Sequence, residues 1–399
     1  MRIRAALAIT LLILVSACHS GSSDTSGTSG AGPLLVDPSS PAVSALPASG
    51  APASAPASSA PPTSAAPSKS AAAKPKTLPK PGNPGGHATI PAAAKAVDTS
   101  KPDRTVGTGT AASCTSAAVV KAVAAGGIIT FDCGPDPVTI TMTATAKVKN
   151  AHSPVVLDGG GRVTLSGGGK RRILYVNACD EALGWTTSHC NDQETPRVTV
   201  QNLVFTNGNS TGDTTDGGGG GAIFQRGGHL KVVNSRFTGN RCDRTGPDLG
   251  GAAIRVLDQG GDSPVYVVGS TFTGGVCSNG SALSSIGVSW TVLNSLFSGN
   301  SAVGNGANPA RAGTPGGGSG GAIYLDGDRF TLTLDGTLIE KNRANEGGSA
   351  IFFVSNDRTG TLVIRNSTLR SNKGDKFQTF PGVFYLGSGD PKITNSKIG

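Results

Sequence analysis

Gly-Gly-Ala-Ile at residues 220–223, followed by Leu-Lys-Val-Val-Asn-Ser-Arg-Phe-Thr-Gly-Asn at residues 230–240, is the stretch that decides the fold. It combines a small-residue turn, short apolar strands and an Asn-Ser pair, and its parts recur to the end of the chain. Successive anchor residues are between 25 (Phe272 to Phe297) and 42 (Phe297 to Ile339) positions apart, and they are Phe205, Phe237, Phe272, Phe297, Ile339 and Leu369. A period of this size with variable loops is typical of a solenoid, whose units must stack to bury their apolar faces.

The strands of these repeats are short, rich in Val, Ile, Leu and Thr, and show no helical periodicity. Alternation along them points Leu230 and Val232 inward, and Lys231 and Val233 outward. Strands that recur once per turn in one chain direction pair in parallel with those of the next turn. The sequence therefore predicts an all-β solenoid, a single-stranded parallel β-helix, over residues 112–399.

Most repeats place Asn before a small hydroxylated or apolar residue at the end of the long strand. The same alternation points these amides inward, where an amide without hydrogen-bond partners is costly. Stacking along the axis would supply the partners. We therefore expect an amide ladder, with Asp335 and Gly269 as departures from it, at Asn202, Asn234, Asn294, Asn366 and Asn395.

The composition suits a narrow core with many tight turns, since 59 of the 399 residues are Gly and only 5% are aromatic. The formal net charge of +9 divides into +5 over residues 1–110 (nine basic, four acidic) and +4 over residues 111–399 (25 basic, 21 acidic). A nucleic-acid interface needs a concentrated basic face. The one basic run, at residues 170–172, is interpreted as a solvated strand edge, so no nucleic-acid partner is expected.

The first residues are typical of an export signal. Arg2 and Arg4 precede an apolar run of about eleven residues, which is too short to span a bilayer and suits a signal peptide. Residues 15–18, Val-Ser-Ala-Cys, resemble the lipobox of bacterial lipoproteins. That resemblance implies a signal peptide over residues 1–17, lipidation of Cys18 and extracytoplasmic anchoring to the cell membrane. The alternative is ordinary secretory cleavage beside an incidental Cys.

Residues 18–111 are predicted to form a disordered tether. Ser, Ala, Pro, Gly and Thr dominate this stretch, and it holds too few large apolar residues to form a core. Such a tether would hold the folded domain away from the membrane, exposed to the cell wall or surface.

Six cysteines remain after Cys18, an even number that suits disulfides in an exported protein. The pairs predicted are Cys114–Cys133, Cys179–Cys190 and Cys242–Cys277. The last is the sharpest, because each of its cysteines lies five residues after an anchor residue, and stacked turns are about 4.8 Å apart. Free thiols are the alternative; a zinc site is disfavoured because no Cys-x-x-Cys or nearby His accompanies them.

Residues 115–125 are predicted to form a short helix that caps the open end of the stack. This helix, Gly-Gly-Ile-Ile-Thr-Phe at 126–131, Leu-Asp-Gly-Gly-Gly at 157–161 and Val-Thr-Val-Gln-Asn-Leu at 198–203 together resemble the pectate-lyase-like family of right-handed parallel β-helices. The Gly-Gly-Ala-Ile and Phe-x-x-Asn repeats are similar to those of polymorphic outer-membrane adhesins. The resemblance implies a right-handed fold and leaves function open, because the fold carries lyases, hydrolases, esterases, adhesins and scaffolds.

Catalytic signatures of that family are not found. The Asn-Thr-Asp, Asp-Asp and Gly-His-Gly marks of polygalacturonase-like hydrolases are missing, and no Asp cluster of the kind with which pectate lyases bind Ca²⁺ stands out. The acidic pairs in the loops could act as acid and base or bind Ca²⁺, or they could simply be solvated, and they are Asp213 and Asp216, Asp243 and Asp248, Asp258 and Asp262, and Asp326 and Asp328. No cofactor is expected, apart from Ca²⁺ if the protein is a lyase.

A stripe of outward side chains is the better candidate site. The residue after each inward aliphatic of the first strand is predicted to face outward, which gives Phe224, Arg255, Ser284, Tyr324, Phe352 and Phe384, with Arg226 and Asp326 two positions further on. Aromatic faces flanked by polar groups suit sugar rings. The alternative is that the long loops at 206–219, 241–249 and 301–319 fold over the stripe and bury it.

Three functions remain open at this point. The first is a surface-anchored binding or scaffold module for a polysaccharide or cell-wall glycan, the second a polysaccharide lyase or glycoside hydrolase with a divergent acidic site, and the third an adhesin-like structural protein. The missing family motifs favour a protein that is not an enzyme.

Overall fold

A computed structural model of the chain describes residues 78–399. In this part the chain is all-β, with strands in parallel sheets, a single α-helix, α1 (Ser116–Ala125), and short 3-10 helices. The 3-10 helices span Ala92–Ala94, Ala111–Ser113, Glu181–Leu183, Cys190–Asp192, Thr215–Gly217 and Gly260–Asp262. The predicted signal peptide, Cys18 and the tether up to residue 77 lie outside the described residues.

The strands are short, and they follow one another in the order that the repeats predict. In chain order they are β1 Arg104–Val106, β2 Gly127–Phe131, β3 Val138–Thr141, β4 Ala146–Lys147, β5 Val155–Ser166, β6 Leu174–Asn177, β7 Arg197–Thr206, β8 Ile223–Arg226, β9 His229–Val233, β10 Arg236–Thr238, β11 Ile254–Leu257, β12 Val265–Val268, β13 Thr271–Thr273, β14 Val276–Cys277, β15 Leu283–Ile286, β16 Trp290–Leu293, β17 Leu296–Ser298, β18 Ser301–Ala302, β19 Ile323–Gly327, β20 Thr331–Asp335, β21 Leu338–Glu340, β22 Arg343–Ala344, β23 Ile351–Ser355, β24 Thr361–Arg365, β25 Thr368–Arg370, β26 Val383–Leu386, β27 Lys392–Thr394 and β28 Lys397–Ile398.

Equivalent strands of successive repeats pair in parallel. One ladder runs β1-β2-β5-β7-β9-β12-β16-β20-β24-β27. A second runs β3-β5-β7-β10-β13-β17-β21-β25-β28, and the long strands β5 and β7 join both into a 17-stranded sheet. An 8-stranded sheet has the order β4-β6-β8-β11-β15-β19-β23-β26, and a 3-stranded sheet has the order β14-β18-β22. The prediction of an all-β fold with parallel pairing is confirmed.

Helix α1 is the helix that the sequence predicts. The Thr115 side chain caps it by accepting a hydrogen bond from the Ala118 backbone N–H at 3.2 Å. Val119 and Val123 are buried in the main core, and the helix ends at Ala125, with Gly126 (φ 68°) as its C-cap. The helix packs against β1 and β4, so its apolar stripe covers the first, least regular coils.

The three predicted disulfides are present in the structure. Cys114–Cys133 ties the segment before α1 to the segment after β2, and Cys179–Cys190 closes the loop between β6 and β7, with Cα separations of 5.6 Å and 5.0 Å. Cys242 and Cys277 are 4.8 Å apart at Cα. Because these two residues occupy the same place in successive repeats, their proximity confirms that like-placed residues stack.

The anchor residues form a continuous row inside the main core, here called the inner row. Phe205, Phe237, Phe272 and Phe297 are paired in register, and Ile339 and Leu369 extend the row. The four rings stack with centroid separations of 5.0, 4.8 and 4.8 Å and planes within 5° of parallel. One repeat of the sequence therefore corresponds to one step of about 5 Å along the row of stacked rings.

The predicted amide ladder is wrong about the inward direction of the side chains, although part of it forms at the surface, where Asn395 donates to Asn366 at 2.7 Å and Asn366 donates to Asp335 at 2.8 Å. Asn234, Asn366 and Asn395 are exposed, and all five of the predicted amides have positive φ, between 47° and 52°. Asn tolerates this left-handed conformation better than most residues, and Gly adopts it freely, which explains Gly269 (φ 52°) and Gly336 (φ 63°) at the same place. Gly336 and not Asp335 is the equivalent residue, since Asp335 pairs with Leu293 and Arg365.

The buried ladders use other residues of the same repeat. In the Phe-x-x-Asn turns, Asn300 donates to the Asn342 side-chain oxygen at 2.9 Å, and Asn342 donates to that of Asn372 at 3.0 Å. Beside the left-handed turn, backbone N–H groups donate to a row of hydroxyls in the next repeat, which runs through Ser270, Ser295, Thr337, Ser367 and Ser396. The amide or hydroxyl of one coil thus satisfies the backbone of its neighbour.

Part of the stretch predicted as disordered tether lies on the folded domain. Residues 78–100, here called the N-terminal segment, cross several coils before β1 pairs with β2. Asn294 accepts from the Ala88 N–H at 2.7 Å and donates to the Ala88 carbonyl at 2.9 Å. Gln201 makes the same two-way contact with Val97, at 2.8 and 2.9 Å. These bonds run through backbone groups, so composition gives no sign of them.

The N-terminal segment also covers apolar residues. Val233, Val268 and Leu293 point away from the main core, as alternation predicts for Val233, yet each is at most 4% exposed. Ala94 and Ala88 pack on them. The folded domain therefore begins within the predicted tether, upstream of residue 112.

Candidate functional site

The predicted stripe exists as a row in the 8-stranded sheet, here called the outer row. Register aligns Phe224 with Arg255, Arg255 with Ser284, Ser284 with Tyr324, Tyr324 with Phe352, and Phe352 with Phe384. Tyr175 extends it at the N-terminal end, a member that sequence reasoning missed. Tyr324 and Phe352 stack at 4.9 Å with planes 1° apart.

The outer row is buried, so the prediction of an open aromatic face is wrong and the alternative, coverage by loops, holds. Phe224 and Tyr324 are 0% exposed and Phe352 is 3% exposed; Phe384, near the C-terminal end, keeps intermediate exposure. Leu183 of the disulfide loop packs on Tyr175 and Phe224. These rings therefore offer no free face to a sugar.

Arg172 fixes a second covering loop. Its guanidinium lies over the Phe224 ring at 5.0 Å, donates to the Gly219 and Gly220 carbonyls, and pairs with Asp213 at 2.7 Å. It is 5% exposed, so the interpretation of this basic run as a solvated edge is wrong for Arg172. A buried cation over an aromatic face is a strong positioning contact.

What remains open is a cleft two positions further along each strand. Arg226, Leu257, Ile286 and Asp326 are in register on β8, β11, β15 and β19, and they form its floor. The cleft has a volume of about 580 Å³, and its other lining residues are Asn191, Asp248, Arg255, Asp258, Gly327 and Asn356. Of the predicted site residues, the structure brings Arg226, Arg255 and Asp326 together here.

Two carboxylates meet at one end of the cleft through a shared amide. Asn308 Nδ2 lies 2.6 Å from Asp248 Oδ1 and 3.0 Å from Asp326 Oδ2. The Tyr324 hydroxyl, below them, donates to Asp326 Oδ2 at 3.2 Å. Sequence reasoning paired Asp248 with Asp243 and Asp326 with Asp328; the fold pairs Asp248 with Asp326 instead, and nothing in the sequence identified Asn308.

The two acids differ in their surroundings. Burial raises the pKa of Asp326 above the ordinary value; hydrogen bonds from Gly327 and Tyr324 oppose this, and the charge of Asp248 reinforces it. Burial, with the charge of Asp326 next in importance, likewise raises the pKa of the Tyr324 hydroxyl well above its usual range. Asp326, beside Asp248, therefore keeps its proton to a higher pH than an isolated aspartate would.

Arg255 is the most unusual residue of the cleft. It is 3% exposed, and its Nη1 donates to Ser284 Oγ at 3.0 Å. Its Nε has no hydrogen-bond partner, and no carboxylate of the described residues lies within ion-pair distance of it. Burial lowers the pKa of Arg255 to about 10, opposed by electrostatic interactions with Tyr324 and Asp248, so the guanidinium stays charged at neutral pH.

A buried glutamate holds the loop that carries Asn308. Glu346 is fully buried and accepts two hydrogen bonds from Arg311, at 3.0 and 2.9 Å, one from the Gly306 N–H and one from Lys376 Nζ. Burial alone would raise the pKa of Glu346, but these bonds, Arg311 first, lower it to about 2. Since Gly306 and Arg311 flank Asn308, the clamp sets the position of the shared amide.

The disulfide loop closes the opposite end. Asn191, next to Cys190, accepts from Arg226 Nε at 2.7 Å. Asp192 lies near Asp258, whose pKa is raised mainly by burial, with the charge of Asp192 contributing. The remaining loop acids serve the loops: Asp243 accepts from the Gly212 N–H, and Asp262 pairs with Arg329.

No group of three or more His, Cys, Asp or Glu among residues 78–399 is arranged to hold a metal ion. Nor is any helix in that part of the chain long and apolar enough to cross a membrane. Comparison with family models, with characterised proteins and with solved structures finds no match to this chain.

Proposed function

We propose that the chain winds as a right-handed parallel β-helix of the pectate-lyase-like type. The in-register pairing of equivalent strands in three sheets supports this, as does the strong preference of parallel crossover connections for the right hand.

We further propose that the protein is an exported lipoprotein anchored through Cys18. Residues 15–18 and the disulfide content support that location.

We propose that the protein binds a linear polysaccharide in the cleft. The observation that carries this is the cleft floor, which continues in register from β8 to β19 and ends beside Asn356 after β23. At about 4.8 Å per strand step, five strands give a groove roughly 19 Å long. The middle of its floor is apolar, at Leu257 and Ile286, and the carboxylates, amides and guanidinium groups around it suit sugar hydroxyls, which both donate and accept.

Binding to an array of plant, bacterial and fungal glycans, followed by titration calorimetry, tests this function. Ile286→Arg should fill the floor of the cleft and abolish binding. Leu296→Arg is the matched control, because Leu296 has the same intermediate exposure but lies on β17 of the other sheet. Equal binding by both variants, or none by the wild type, would argue against the cleft as a glycan site.

Cleavage of the glycan is a second candidate, and the paired acids favour it. Glycoside hydrolysis uses one protonated and one ionised carboxyl flanking the scissile bond. Asp326, with its raised pKa, would be the acid, and Asp248 would be the base or nucleophile. Asp326→Asn and Asp248→Asn should each abolish release of reducing ends while leaving glycan binding in place. Product release that instead requires Ca²⁺ would favour a lyase. The absence of both glycan binding and product release would favour an adhesin-like scaffold.

A further inference from the structure

Trp185 is the most exposed large apolar side chain in residues 78–399, at 53%. It lies in the loop between β6 and β7, which the Cys179–Cys190 disulfide closes. Every aromatic residue of the outer row is wholly or partly covered, whereas this indole is open to solvent. A single exposed apolar residue needs no explanation in itself, so its surroundings decide whether it has a role.

The loop that carries Trp185 is held at both ends. Two residues before Trp185, Leu183 is 2% exposed and forms a buried cluster with Tyr175 and Phe224. Its carbonyl accepts from the Asn150 N–H at 3.0 Å. The disulfide and the buried leucine restrain the backbone on both sides of the indole, which reduces the conformational entropy that would be lost on binding.

The same loop forms the end wall of the cleft. Leu257, which packs against the cluster that contains Leu183, is a floor residue of the cleft. Asn191, which follows the disulfide, lines the cleft and binds Arg226. The Cys190 carbonyl packs so closely on Gly227 that a Cβ there would lie 2.3 Å from it. Both arms of the loop therefore touch the cleft at its N-terminal end.

We propose that Trp185 extends the cleft as a stacking platform for one further sugar ring, beyond the end marked by Arg226. This inference rests on the proposed glycan-binding function. An indole presents a large apolar face to the C–H face of a sugar and a polar N–H at its edge. It follows that affinity should depend on Trp185 only for chains long enough to reach past Arg226.

Fluorescence gives a direct test, because the chain has two tryptophans and the other, Trp290, is 1% exposed. Acrylamide quenches accessible indoles, so the quenchable emission belongs to Trp185. The probes are the di- and hexasaccharides of β-linked glucose, N-acetylglucosamine and galacturonate. We expect a hexasaccharide that binds to protect Trp185 from acrylamide, and Trp290→Phe to keep that protection.

Calorimetry on Trp185→Ala supplies the second measurement. Loss of one stacked ring should weaken hexasaccharide binding by about tenfold, leave disaccharide binding unchanged, and be largely reversed in Trp185→Tyr. The cleft is supported if a hexasaccharide binds the wild type and Ile286→Arg abolishes this binding. If Trp185→Ala then binds the hexasaccharide with the same Kd, and the hexasaccharide does not change acrylamide quenching of the wild type, the platform proposal is wrong while the cleft proposal stands. If none of the probes binds the wild-type protein, the platform and the glycan-binding function both fail.

Discussion

The inner and outer rows are built by the same repeat, yet only one of them is continuous. In the inner row Phe237, Phe272 and Phe297 stack at 4.8 Å with planes 4° apart. In the outer row the aromatic run stops at Phe224 and resumes at Tyr324, with Arg255 and Ser284 between them. The inner row is what stacking alone requires. The outer row departs from that requirement in the middle of the domain.

The cleft lies at that interruption. Arg255, Asp248 and Asp326 all line it, and the Tyr324 hydroxyl reaches the acid pair from the first ring after the gap. Placing a buried cation where an aromatic ring would stack has a cost in folding free energy. Positions at which a sequence breaks its own local rule are expected to be functional sites. The difference between the rows therefore supports the cleft as the functional part of the molecule.

The largest loss of stability is expected when an aromatic ring is removed from the inner row. Phe272→Ala should lower the free energy of unfolding by about 3–5 kcal/mol, because both stacked neighbours lose a partner and a cavity remains. Chemical denaturation monitored by far-UV circular dichroism measures this. Phe272→Leu keeps most of the volume and should cost clearly less. Equal losses for the two variants would mean that ring stacking does not organise the core.

The inner row and the disulfides could be predicted because each follows from a single periodicity. Phe237 and Phe272 fix the register, and Cys242 and Cys277 lie at the same offset from them. The amides are predicted to point inward because alternation ignores backbone conformation, and they lie at the surface instead. Asn234 sits at a left-handed turn that reverses the expected direction of its side chain.

The candidate site was predictable only in part. The outer row and its neighbours Arg226, Arg255 and Asp326 followed from the repeat, but their burial depends on loops of irregular sequence. Asn308 contacts Asp248 from a loop that is held by the Glu346 clamp. Such long-range pairing has no period, and a single sequence offers no other signal of it.

The N-terminal segment offers a test of the covered outer surface of the 17-stranded sheet. Asn294→Ala should cost about 2–3 kcal/mol, from two hydrogen bonds to Ala88 and a strained left-handed alanine. Asn294→Gly keeps the turn and isolates the loss of the hydrogen bonds. Both variants should speed amide hydrogen exchange in residues 83–97. Unchanged exchange there would mean that the segment is held without Asn294.

The pH dependence of stability tests the loop that Glu346 holds separately from the cores of both rows. Its folded pKa of about 2 lies below the ordinary 4.5, so it stabilises the fold above pH 4.5, and this contribution is lost as pH falls towards 2. Glu346→Gln should therefore be less stable than the wild type at neutral pH, with the gap closing on acidification. Urea titrations between pH 7 and pH 2 measure it; a gap that does not vary with pH would contradict the clamp.

The smallest change in stability is expected at the interruption itself. Arg255 is buried without an ion pair, so Arg255→Met removes a desolvated charge and supplies a side chain that can fill the space beside Ser284. We expect the free energy of unfolding to be unchanged or raised by about 1 kcal/mol. Glycan binding, in contrast, should be lost, because the guanidinium is the buried donor group of the cleft. Such a result would show that Arg255 interrupts the outer row because it binds the ligand, and not because the fold needs its charge. A large loss of stability in Arg255→Met would instead make Arg255 a structural residue, and the two rows would then differ only in how they are built.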